Sequence, residues 1–138
     1  MGWTDKMKEW GGGDISFLSE DGECITFVVV GDPYLIKGKF RGLETQRIGC
    51  PVVTVDGFTM LVVGKRVGRR LSKYEKEFDK VAFTLIRHGE PDDVKCKYEL
   101  IRETSAETVK PLMAIKAKGV SVEEIAEAVE SAQEVANG

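Results

Sequence analysis

Apolar positions along this 138-residue chain recur with two periods, and the switch between them lays out its elements. Behind the turn signal "SEDGE", the run "CITFVVV" over residues 24–30 is rich in β-branched residues and predicts a buried strand. "GDP" at 31–33 turns the chain into "YLIKGKF", a further extended segment or a bent continuation of the first strand. Gly42 and Gly49 read as breakers and make residues 42–50 a loop. "PVVTVDGFTMLVVG" is then a hairpin turning on Asp56-Gly57, a pair suited to a tight type I′ turn.

The period changes at "KRVGRRLSKYEKEF", residues 65–78, where Val67, Leu71, Tyr74 and Phe78 mark the apolar face of a helix. Arg66, Arg69, Arg70 and Lys73 stripe another face. Period two returns in "VAFTLIRHG" (81–89) and, after the turn "EPDD", in "VKCKYELI" (94–101). There Val94, Cys96, Tyr98 and Leu100 alternate with Lys95, Lys97 and Glu99. Five strands with one helix between strands 3 and 4 is the layout of an OB-fold barrel. The expected fold class is therefore mainly β, a five-stranded OB-fold barrel, with an α+β sandwich of the same element order as the alternative.

The C-terminal segment is of another kind. Thr104 with Glu107, and Ser121 with Glu124, have capping-box spacing. Pro111 is expected to start or kink a first helix, Gly119 to end it, and Val122, Ile125 and Val129 stripe a second. With acidic residues on that second helix, the pair suits docking on the barrel or on a partner rather than reading DNA. The "GGG" at 11–13 sets off an arm bearing Trp3 and Trp10. The expected division is an arm over 1–14, the barrel over 15–103 and a helical appendage over 104–138.

Charge sharpens this division. The net charge of −3 hides a basic middle, because residues 34–102 carry 15 basic and 9 acidic groups. Residues 1–33 carry 2 basic and 7 acidic, and residues 103–138 carry 3 and 7. Such asymmetry points to a polyanion site beside an acidic tail. No apolar run reaches the ~18 residues that cross a bilayer, and the first ten residues have no signal-peptide core, so no membrane association and a cytoplasmic location are expected. Cys24, Cys50 and Cys96 are odd in number and without a CxxC pair, which speaks against a disulfide framework or a zinc site.

Catalytic signatures are lacking, so the expectation is a protein that is not an enzyme and takes no cofactor. "VGKR" at 63–66 has Thr59 where a phosphate loop needs its first glycine and Arg66 where it needs Ser or Thr. His88 is the single histidine. Binding chemistry is better represented. Lys37, Lys39 and Arg41 stand at period two, which in an extended chain aligns three charges along a phosphate backbone; protection of an edge strand is the alternative. Lys95 and Lys97 repeat the pattern, and Arg47 joins from the loop. Lys65, Arg66 and Arg69 extend the phosphate path onto the helix. Tyr34, Phe40 and Phe58 are candidate stacking rings, with core packing as their competing role.

The segments "FLSEDGECITFVVVGDPY", Cys50-Pro51, "VVGKRVGRRL" and "VAFTLIRHGEPDDVKCKYELI" together resemble the OB-fold single-stranded DNA-binding proteins of bacteriophages. The shared pattern is an Asp-Gly-Glu turn into the first strand and a Gly-Asp-Pro turn after it. A helix with an acidic and aromatic end then precedes the strand holding Ile86, Arg87, His88 and Gly89, and Lys97-Tyr98 lies on the closing strand. This likeness spans roughly residues 15–102; the loop after Phe40 lacks aromatic residues, and the C-terminal end is helical rather than a plain acidic tail. The resemblance implies a non-catalytic protein that coats single strands during viral DNA replication or recombination, in the host cytoplasm. It also implies replication or recombination proteins as partners of the C-terminal helices and weak self-association. An OB-fold protein-interaction module or structural subunit, and an RNA-binding module, are the rival expectations.

Overall fold

The computed structural model describes residues 15, 16, 18, 21–40, 43–89 and 97–137, with backbone only for Lys39, Phe40 and residues 135–137. Its sheet is built around strand β2 (Cys24–Val29), which serves two ladders. Cys24 to Phe27 pair antiparallel with Ile86 to Phe83 of β6 (Ala82–His88). Val28 and Val29 then pair with Val53 and Val52 of β4 (Leu43–Thr54). β3 (Tyr34–Phe40) pairs along the first half of β4, and β5 (Gly57–Val63) pairs along its second half. β7 (Lys97–Glu103) pairs with β6, and β1 (Ile15–Ser16) runs parallel to β5. The order is β1-β5-β4-β2-β6-β7, with β3 on β4.

The fold is mainly β, and the sheet is open. The expected five strands are seven among the described residues, because the bent first strand is two strands and β1 is added. The far edge of β5 is taken by β1 rather than by β7, so these two strands form no closing ladder. Helix α1 (Lys65–Ser72) lies between them in the chain and touches both β4 and β7. Val67 and Leu71 of α1 enter the inner core with Phe27, Val29, Cys50, Val52, Leu61, Phe83 and Leu85. Phe83 is the hub, with the rings of Phe27, Tyr74 and Phe78 at 6.0, 5.6 and 6.0 Å.

Three local expectations are corrected. Residues 43–50 are strand, not loop: a Cβ on Gly49 would lie 3.2 Å from Met60 Sδ and 3.3 Å from Ile36 Cγ1, so this glycine allows close packing inside the sheet. The hairpin turns on Val55 and Asp56, one residue earlier than expected, with Thr54 facing Gly57, whose φ of 111° is left-handed. Helix α1 stops at Ser72, whose Oγ donates to Arg69 O at 2.7 Å, and a short 3-10 turn over Glu75–Glu77 carries Tyr74 and Phe78 back to the core.

The outer face of the sheet is covered by α2 (Ala106–Ala117) and α3 (Val122–Asn137). Leu112 of α2 joins Val28, Val53 and Ala82 in a second core. α3 lies over β3 and β5, with Ala128 and Ala132 buried. Gln133 Oε1 accepts from Lys37 N at 3.1 Å, and Gln133 Nε2 donates to Lys37 O, so one amide satisfies both outward backbone groups of an edge-strand residue. Ser105, not Thr104, is the N-cap of α2 and makes no side-chain bond, whereas Ser121 Oγ accepts from Glu124 N at 3.0 Å, as capping-box spacing implies. Pro111 sits inside α2. Among the described residues no helix is long and apolar enough to cross a membrane.

Leu112 is 1% exposed, so Leu112→Ala should cost about 2–5 kcal/mol in a urea titration. Truncation after Glu103 should lower the melting temperature sharply, because it exposes both Leu112 and the sheet face beneath it. A truncated chain as stable as the full one would show that α2 and α3 are dispensable to the core.

Candidate nucleic-acid interface

Register decides which sequence candidates meet. Cross-strand partners share a face of a sheet, and neighbours along a strand alternate. Lys37 faces Gln46, and Leu35 faces Ile48, on the side of the inner core where Ile48 packs. Lys65 Nζ donates to Gln46 Oε1 at 2.5 Å, so Lys37 and Lys65 flank one glutamine. Arg66 and Arg69 are exposed on α1. Arg70 Nη1 donates to Tyr98 O at 2.8 Å, and this ties the other flank of α1 to β7 next to the exposed Lys97. A basic belt therefore runs from the β3–β4 hairpin across α1, whereas Lys97 faces His88 and alternates with the inner-core Tyr98, which puts it on the other face of β7. Among the described residues no salt bridge neutralises Lys37, Lys65, Arg66, Arg69 or Lys97.

Other candidates lie apart from the belt. Arg47 faces Ile36 and Tyr34 faces Gly49, which puts both on the side opposite Lys37. Phe58 packs against the second core beneath α2 and is half-buried. The backbones of Lys39 and Phe40 pair with Glu44 and Leu43; Arg41 and Lys95 lie outside the described residues. The sequence reading misses Leu35, which is 48% exposed beside Lys37, and Gln46, which bonds Lys65 and faces Lys37 across the strands. Only the β3–β4 pairing reveals them, and the glycines on either side of Gln46 disguise that pairing as a loop.

Comparison with family models, with curated proteins and with solved structures finds no match for this chain.

Beside the belt, a pocket of 360 Å³ opens between α1, the turn after β2 and the end of α2. Val29, Ile48, Cys50 and Leu71 form its apolar part; Asp32 and Glu75 are exposed carboxylates at its edge. Gly68 lines it where a Cβ would lie 3.1 Å from Ile48 Cγ1, which lets α1 sit close on β4. Lys116 Nζ donates to Val29 O at 2.9 Å, Phe78 O at 3.2 Å and Asp79 Oδ1 at 2.7 Å. That fastens the end of α2 to β2 and to the segment after α1.

Several ionisable groups near the site are held by burial or by hydrogen bonds. Burial pushes the Cys50 thiol up to about 12, so it stays protonated and poorly nucleophilic at neutral pH. Cys24 and Cys50 are free thiols. Arg87, 7% exposed, bonds Gly89 O through Nε and the Tyr98 hydroxyl through Nη1, and Asp21 Oδ1 accepts from Gly89 N at 2.9 Å. These bonds hold the end of β6 against the turn before β2. His88 Nε2 lies 3.0 Å from Glu99. Among the described residues no cluster of His, Cys, Asp or Glu has the arrangement of a metal site.

The hydrogen bond from Lys116, together with its charge, holds the Asp79 carboxyl below its ordinary value of 3.8. A lowered folded-state pKa means that the pair stabilises the protein above the ordinary carboxylate range and loses that contribution as pH falls through the lowered value. Urea midpoints measured from neutral pH down to about pH 2 should therefore fall less steeply in Lys116→Met than in the wild type. Parallel acid limbs would show that the pair is not linked to folding.

Proposed function

We propose that this chain is a non-catalytic single-stranded DNA-binding protein whose phosphate path is the basic belt around α1. The observation that carries the reading is the convergence of Lys37 and Lys65 on Gln46, beside Arg66 and Arg69, with no carboxylate pairing them among the described residues. Each phosphate neutralised releases condensed counterions, so such a belt gains affinity without reading sequence. The half-exposed Leu35 and the neighbouring pocket offer apolar surface to unstacked bases, which a duplex keeps hidden.

The order of strand pairing, β5-β4-β2-β6-β7 with a helix between β5 and β6, supports an OB-type architecture. It is the order of an OB barrel without the closing ladder. In OB folds the outer face of the second and third strands is the usual oligonucleotide surface. The corresponding face of β4 and β5 lies under α2 and α3 here, which directs the nucleic acid to the α1 side. The resemblance to bacteriophage proteins adds the setting: coating of single strands during replication or recombination.

Fluorescence anisotropy with labelled (dT)20 and a 20-base-pair duplex tests the reading. The single strand should bind tighter at moderate salt. Lys37→Ala, Lys65→Ala and Arg69→Ala combined should weaken binding and reduce the slope of log affinity against log salt by about 0.7 for each phosphate no longer neutralised. Unchanged affinity and slope in a folded triple variant would remove the belt from the site. Preference for an RNA of the same length would move the reading to RNA.

A further inference from the structure

We propose that the pocket beside α1 is a base-recognition site, taking from the bound strand a nucleobase rich in N–H donors, guanine foremost. This inference rests on the single-strand reading above and adds a base preference to it. The first support is the pocket's polar inventory. Of the nitrogen and oxygen donors on its side chains, Lys116 directs its ammonium to three protein acceptors, and Ser72 directs its hydroxyl to Arg69 O. A lysine has three N–H donors, so none is left for a ligand. Asp32 and Glu75 have no side-chain hydrogen bond or salt bridge among the described residues. The side chains facing a ligand thus offer acceptors over an apolar floor.

Guanine fits that inventory. Its Watson–Crick edge presents an imino and an amino N–H side by side, which one carboxylate takes bidentately, while its ring covers apolar side chains. Cytosine and adenine offer an amino group alone. Thymine offers one N–H between two carbonyl oxygens, which a carboxylate repels.

Position is the second support. Ile48 lines the pocket two residues along β4 from Gln46, a distance of about 6–7 Å in a strand. A phosphate held between Lys37 and Lys65 therefore leaves its base within reach of the opening. An arginine side chain from a protein would also satisfy two carboxylates. It would have to settle beside Lys65 and Arg69, which flank Gly68 on α1, and a neutral ring meets no such repulsion.

Anisotropy titrations with (dT)20 and with the same strand carrying one central dG, dC or dA give the test, in the full chain and in Asp32→Asn/Glu75→Gln. Both substituted side chains are exposed, and equal thermal melting checks that the variant is folded. The wild type should bind the dG strand about tenfold more tightly than (dT)20, with dC and dA between. The variant should keep its (dT)20 affinity, or gain slightly as repulsion of phosphate is relieved, while the dG preference falls toward one. Tight (dT)20 binding with no base preference overturns the base site and leaves the single-strand reading standing. A dG preference undiminished in the variant places the recognition elsewhere and likewise overturns it. Absence of binding to every strand overturns both readings. Arginine amide shifting the backbone NMR signals of Ile48 and Glu75, with no base preference in the strands, assigns the pocket to a cationic side chain instead.

Discussion

Phe27, Val28 and Val29 must be buried on both sides of one strand, and the architecture follows from that constraint. Phe27 and Val29 face the inner core and Val28 the outer one, each at most 5% exposed. Fully burying such side chains contributes about 1.5–3 kcal/mol each, so neither face can be left to water cheaply. Inside, Val67 and Leu71 of α1, with Tyr74 and Phe78 behind them, close over Phe83. Outside, Leu112 of α2 covers Val28 and Val53. The C-terminal helices are thus the second wall of the sheet. Their acidic composition describes their solvent side and says nothing of how they pack.

How far the sequence displays this depends on whether each feature is local. β6, the described part of β7 and the end of β2 are legible because their alternation or β-branched run needs no knowledge of a partner. The first half of β4 is hidden, since Gly49 signals a break until Ile36 and Met60 are seen crowding it. A helix through Phe78 looks continuous because Tyr74 and Phe78 keep helical spacing; the chain in fact turns after Ser72 and delivers both rings to the same core. The candidate surface divides in the same way. Lys65, Arg66 and Arg69 share one short helix, so spacing alone finds them. Nearness in sequence groups Arg47 and Tyr34 with Lys37, and the β3–β4 register puts them on the other face. The pocket has no sequence signal at all, because its walls come from β2, β4, α1 and α2, far apart in the chain.

Charge is sorted by face as well as by segment. The edge of β3 is a place where a protein commonly sets a charge against unwanted pairing. Here the neutral amide of Gln133 occupies the backbone groups of Lys37 instead, and Lys37 itself turns its exposed side chain to the face of Gln46. The acidic helix can therefore grip the basic strand without neutralising it. Lys116, the one cation of α2 and α3 seen in a salt bridge among the described residues, pairs with Asp79 on the segment after α1. Among the described residues, no salt bridge reaches the cations of the belt.

Helix α1 shows what that arrangement costs. Its first turn holds Lys65 and Arg66 and no acidic residue, and Gly64 supplies no capping side chain. A helix N-terminus carries partial positive charge, and a cation there is unfavourable by an amount comparable to the about 0.3–1 kcal/mol that an anion would gain. Arg69 and Arg70 suit the negative end, so the last turn is conventional while the first works against the helix. Packing of Val67 and Leu71 and the close seat of Gly68 on Ile48 hold the element in place despite this. Local rules broken where no neighbouring residue compensates are expected at sites whose missing partner is a ligand. An anion near Lys65 and Arg66 would relieve the repulsion and answer the helix dipole together, which favours a polyanion over a neutral partner at this face.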